Sequence, residues 1–148
     1  MDDSSVQQLI WAALAMALPL AAIFGHWPRL AGRFGEGDRV MQLWHVGPVV
    51  WGACQLLDGH ERYLGWALAG HLHLRRYDFG PGHLLGYGFT QQQLHAVEGT
   101  CTGVFVLRRD VAGDLSGHFY GRRFGLRDGR MVPVQILEPH SRHWRRLA

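Results

Sequence analysis

Lysine and asparagine are absent from this chain of 148 residues, and cysteine occurs only twice. Without lysine, every positive side chain is a guanidinium, 15 in all. Cys54 and Cys101 are far apart and form neither a CxxC pair nor a zinc-type spacing. In a cytoplasmic domain they would be inert buried thiols; in an exported one they could pair. There is no phosphate loop, no dinucleotide glycine pattern and no HExxH, which removes the nucleotide-binding and zinc-protease classes that those signatures mark. Gly35-Glu-Gly37 and Gly86-Tyr-Gly88 read as ordinary loop glycines.

The net charge of +3 conceals an asymmetry. Residues 1–74 carry four Arg against six acids, whereas residues 75–148 carry eleven Arg against six. The second half is therefore the basic half and should favour anionic partners.

No charge occurs between Ser4 and Pro28, and Leu9 to Gly25 is almost wholly apolar. With its flanks this run reaches the roughly 20 residues that a helix needs to cross a bilayer. Trp11 and Trp27 lie near its ends, about 24 Å apart at helical rise, as interfacial aromatics would. Pro19 would kink it, which membrane helices tolerate. A cleaved signal would need a basic start, and this one is Met-Asp-Asp. A buried core helix would be amphipathic, and this segment is apolar all round. Residues 1–28 are thus expected to be a single membrane anchor. Arg29, Arg33 and Arg39 follow it and no basic residue precedes it, so the rest of the chain is expected on the cytoplasmic side. A second crossing over residues 40–57 is the competing topology, weakened by Gln42, His45, Pro48 and Gln55.

Residues 29–39, with Pro outside and Gly32, Gly35 and Gly37 within, read as a juxtamembrane linker. Residues 40–139 read as a mainly-β domain, an antiparallel meander closing into a small barrel or half-barrel with one short helix. Asp58-Gly59 separates two apolar runs, Val46–Leu57 and Tyr63–Leu74, in hairpin fashion. Alternation in the second run places Trp66, Leu68, Leu72 and Leu74 on one face, and Ala67, Ala69, His71, His73 and Arg75 on the other. Residues 78–88 read as a loop. Thr90 to Val97 reads as a helix, with Thr90 and Gln93 placed as a capping box. Strands follow over 100–109, 115–126 and 131–137, joined by turns at 111–114 and 128–129. Pro133 assigns the last of these to a sheet edge. Interior glycines such as Gly103, Gly117 and Gly121 suit a strongly curved sheet. Residues 140–148 read as a basic tail.

Candidate chemistry lies in histidines and paired arginines. Arg75-Arg76, Arg108-Arg109, Arg122-Arg123 and Arg145-Arg146 punctuate the chain; at strand ends such charges also suppress edge-to-edge pairing. Arg108, Arg109, Arg122 and Arg123 are the candidate anion site, using bidentate guanidinium contacts. A tight turn between the two pairs would keep them from sharing one small ligand. Trp144, Arg145 and Arg146, with Arg29, Arg33, Trp11 and Trp27, are the candidate membrane contacts. His71 and His73 project from one face of a strand and could chelate a divalent metal. Gly65, His71-x-His73 and Asp78 resemble the first motif of the cupin family, a double-stranded barrel with a metal site. That pattern expects Glu where Asp78 stands and a Gly one position before Gly86, and no second motif follows. His83, His95 and His118 are further candidates for that site. Ser116 beside His118 suggests a hydrolase, but no orienting acid or nucleophile turn accompanies it.

The expectation is a membrane-tethered binding module, a sensor or accessory subunit with a basic surface for an anionic ligand, a lipid headgroup or a protein partner. It needs no resident cofactor, and a tether disfavours nucleic acid. A metal-dependent enzyme on His71 and His73 is one alternative. A structural subunit of a membrane complex, with Trp11, Met16 and Phe24 against neighbouring helices, is the other.

Overall fold

The computed structural model describes residues 29–80 and 89–148. The apolar leader, with Trp11, Met16, Phe24 and Trp27, lies outside the described residues, as does His83. No helix among the described residues is long and apolar enough to cross a membrane.

Nine strands form: β1 (Gly32–Glu36), β2 (Arg39–Val46), β3 (Val49–Leu56), β4 (Gly59–Leu68), β5 (His71–Phe79), β6 (Cys101–Arg109), β7 (Leu115–Arg127), β8 (Arg130–Ile136) and β9 (His140–Arg146). Helix α1 (Gln91–Val97) precedes β6. Strands β1 to β7 pair in sequence order, β9 joins β7 to β1, and every pairing is antiparallel. The result is a closed eight-stranded barrel, and β8 extends β7 beyond its wall as an edge hairpin. Pro133 sits in that edge strand, where a missing donor costs no ladder bond.

Two segments expected to lie outside the domain are part of the barrel. Residues 29–39, read as a linker, supply β1, and Phe34 is fully buried. Residues 140–148, read as a tail, supply β9, the strand that closes the barrel. Trp144 therefore faces the core, with no exposed surface, and is not a membrane contact. Its indole packs edge-on to Phe105 at 6.2 Å. Residues 40–57 fall in β2 and β3 and their turns rather than in a helix.

The apolar run Tyr63–Leu74 is two strands, because Ala69 and Gly70 both take positive φ (50° and 79°) and make a two-residue hairpin turn. The turn resets the alternation. Ala67, Leu72 and Leu74 point inward, while Trp66, Leu68, His71, His73 and Arg75 share the outer wall. Gly65 faces inward where a Cβ would lie 1.7 Å from the His73 carbonyl oxygen, so strands β4 and β5 approach closely only because the residue is glycine.

The barrel is filled by side chains. Phe34, Met41, Leu43, Val50, Leu72, Leu74, Phe105, Leu107, Leu115 and Trp144 are all essentially inaccessible, and Phe105 is the hub of ring contacts with Tyr63, Phe119 and Trp144. A smaller cluster, Leu94 and Val97 with Phe89, Phe124 and Met131, seats α1 against the β7–β8 extension. The expected capping box is present, with the Gln93 side-chain oxygen accepting from the Thr90 backbone N–H at 2.9 Å.

Candidate functional site

The barrel has two distinguishable ends. The start of β1, the turns 47–48, 69–70 and 110–114, and the end of β9 lie at one, here called proximal. Alternating antiparallel strands put the turns 37–38 and 57–58, helix α1 and the β7–β8 extension at the other, distal end.

Near the proximal end the outer wall is apolar. Cross-strand pairing aligns Trp44 with Trp51 and Trp51 with Leu64; one row on, it aligns Val46 with Val49, Val49 with Trp66 and Trp66 with His73. These pairings make one contiguous patch over β2, β3 and β4. The three indoles are 43%, 40% and 46% exposed. The Trp66 ring stacks on His73 at 4.1 Å. Scattered single apolar residues on a surface are ordinary; a contiguous patch of three tryptophans with aliphatics is not. Gly32, paired with Leu43, begins β1; upstream of it Leu30 is buried in the barrel core and the Arg29 and Ala31 carbonyls are held by Arg146 of β9. The chain thus enters β1 at the proximal end.

Arginines rim the same end. Arg29, Arg33, Arg108 and Arg145 are exposed there. Arg146 instead binds the chain, donating to the carbonyls of Arg29 and Ala31 at 3.1 and 3.0 Å. Its guanidinium lies 5.7 Å from the centre of the Phe34 ring. Arg146 thus clamps the junction between leader and barrel, a role the sequence reading assigned to lipid contact.

The four arginines of the candidate anion site separate into two places. Arg108 and Arg109 end β6 at the proximal turn. Arg122 and Arg123 lie six and seven residues beyond Ser116, the pairing partner of Arg108, or roughly 20 Å along the strand. Arg122 and Arg123 line a cleft of about 440 Å³ with Phe89, Phe124, Met131 and Leu137.

His71 and His73 share the outer wall, away from the core, where His71 pairs with Leu68 and Arg108. Among the described residues no three His, Cys, Asp or Glu side chains converge in a way that could hold a metal ion. Cys54 and Cys101 are free thiols. Ser116 meets His143 rather than His118: its hydroxyl lies 2.7 Å from His143 Nδ1, and His143 Nε2 lies 3.7 Å from Asp114. These three have the order of a nucleophile, a base and an acid, but they sit on the open wall with the His143 side chain 52% exposed. Water competes for each of those contacts, so they rank as surface interactions. Sequence reading paired Ser116 with its near neighbour, because the cross-strand partner on β9 belonged to what looked like a tail.

Toward the distal end the barrel interior becomes ionic. Glu61 is fully buried and binds Arg39 and the Tyr63 hydroxyl, with Arg76 3.4 Å away. Arg76 grips Asp78 with two nitrogens at 3.0 and 3.1 Å and lies over the Phe119 ring at 4.4 Å. Thr102 accepts from Arg76 and donates back to its carbonyl. Burial, then the Glu61 carboxylate, push the Tyr63 phenol well above its ordinary pKa. Burial followed by the same carboxylate raises the Cys54 thiol. Burial opposes the charge on Arg39, but Glu61, Tyr63 and Cys54 more than offset it, and its pKa lies above the usual value. Two cations against two carboxylates balance this cluster, which ties β2, β4, β5 and β6 together. Compared with protein-family models, curated proteins and solved structures, the chain gave no match, so the geometry alone carries the reading.

Proposed function

We propose that this protein is a membrane-tethered binding module whose barrel rests its proximal end and its tryptophan wall on an anionic bilayer. The carrying observation is the exposed patch formed by Trp44, Trp51, Trp66 and their aliphatic neighbours toward the proximal end, the end at which the chain enters β1. Indoles are favoured at a membrane interface, where an apolar ring and a polar N–H are both satisfied. Arg29, Arg33, Arg108 and Arg145 would meet anionic headgroups at about 1 kcal/mol each near the surface. A sensor or accessory subunit held this way would present its distal end, with α1 and the β7–β8 extension, to the aqueous phase. On the positive-inside reading, that phase is the cytoplasm. The metal-dependent alternative rests on His71 and His73 and gathers no third ligand among the described residues.

Depth-resolved quenching tests the seating. Full-length protein with Trp11 and Trp27 replaced by Phe is reconstituted into vesicles containing brominated lipids. Trp44, Trp51 and Trp66 should be quenched relative to unbrominated vesicles, while the buried Trp144 supplies an unquenched remainder. Unquenched emission would refute the lipid seat. If that emission accompanied a defined larger complex on solubilisation, the wall would belong to a protein partner.

A further inference from the structure

We propose that the distal cleft binds a small amphiphilic anion, a ligand with a flat or branched apolar body and one carboxylate or phosphate head. The cleft measures about 440 Å³, within the range of small-ligand sites. Its apolar part is built by Phe89, Phe124, Met131 and Leu137. Phe89 and Phe124 meet edge to face at 5.8 Å, and the Leu94–Val97 cluster supports them from beneath α1. Its polar part is Arg122 and Arg123. Neither guanidinium has a hydrogen bond or ion pair among the described residues.

The β7–β8 pairing shifts register here: Arg123 pairs with Gln135 and Phe124 with Pro133, so Val134 of β8 is the extra residue. Adjacent residues of a regular strand point to opposite faces. β7 itself gains no residue, but the bulge bends the hairpin, and Arg122, Arg123 and Phe124 all contribute to the lining of one cleft. Arginines lining a cleft with an apolar wall match a carboxylate or phosphate, whose oxygens accept the forked donors. The apolar wall then discriminates against an anion that has no body to bury.

This ligand belongs to the binding-module reading and would act in the aqueous phase beside the membrane. Its site is at the opposite end from the proposed lipid seat, so either can fail without the other. The test uses full-length protein in nanodiscs and four soluble probes: 2-naphthyl phosphate, 2-naphthoate, neutral 2-naphthamide and inorganic phosphate. Fluorescence anisotropy reads the naphthyl compounds, and competition reads inorganic phosphate. The two naphthyl anions should bind saturably, with naphthamide and inorganic phosphate at least tenfold weaker. The relative strength of phosphate and carboxylate identifies the head. Arg122→Gln with Arg123→Gln should weaken the anions about tenfold or more, with an unchanged melting temperature because both side chains reach solvent. Arg108→Gln, at the far end, should leave binding as it was. Phe124→Ala should weaken the naphthyl anions and not inorganic phosphate. Equal binding of naphthamide, indifference to the double Arg variant, or no saturable binding of either anion would overturn the assignment.

Discussion

Replacing Glu61 by Gln keeps the shape of the side chain and removes its charge. Glu61 is fully buried, and it holds Arg39, Arg76 and the Tyr63 hydroxyl at once. The substitution leaves Asp78 as the only carboxylate for two cations, one of which, Arg76, has a side chain just 3% exposed. Breaking a buried ion pair from one side costs about 3–5 kcal/mol, because the remaining charge is stranded in a poor solvent. A domain of this size is stable by roughly 6–18 kcal/mol. E61Q should therefore remove a large share of the stability and lower Tm by roughly 10–20 °C. Thermal melting of the detergent-solubilised full-length chain, followed by circular dichroism, reads the loss. The double variant Arg39→Met with Glu61→Met supplies the control. Removing both partners leaves Arg76 with Asp78 and should cost less than Glu61→Met alone. An E61Q protein melting within about 2 °C of the parent would refute the idea that a buried, mutually dependent ionic cluster holds β2, β4 and β5 together.

Alkaline pH should weaken the fold. Tyr63 and Cys54 both have raised pKa values in the folded chain, so their stabilising contribution is complete below the unfolded values of about 10 and 8.5 and fades as pH rises through the folded ones. Stability measured from pH 8 to 11 should fall, and Tyr63→Phe, though less stable at pH 8, should show a shallower fall; an identical slope would count against the assignment. Gly65→Ala should be severely destabilising, by more than about 3 kcal/mol, since its Cβ would meet the His73 carbonyl at 1.7 Å; a melting curve like the parent's would contradict the β4–β5 register. Ser116→Ala should shift stability by less than about 1 kcal/mol, as suits a solvent-exposed hydrogen bond; a larger loss on chemical denaturation would mean that the Ser116–His143–Asp114 contacts bear more than surface weight.

Local signals were legible where one residue settles a local conformation. The capping residues Thr90 and Gln93 located α1, Asp58-Gly59 and Asp128-Gly129 marked turns, and Pro133 marked an edge strand. The mainly-β character and the curvature implied by Gly103, Gly117 and Gly121 followed from the same kind of evidence. Other features were illegible because non-local pairing decided them. Ala69-Gly70 carries no strong turn signature, yet its positive φ values end β4, restart the alternation and send Trp66 and Leu72 to opposite sides of the wall. The candidate site was legible only in its parts. Arg122 and Arg123 were visible as a pair, but Phe89, some 33 residues upstream, and the β7–β8 hairpin supply the apolar half of their cleft. Trp144 among four basic residues looked like a surface tail, because composition cannot reveal that β9 is the strand needed to close the barrel. Sequence alone determined which segments prefer turn or strand, since those preferences reside in single side chains and short spacings. Only the tertiary structure decided which strand edges meet, and burial follows from that meeting: the same indole is core on β9 and surface on β2.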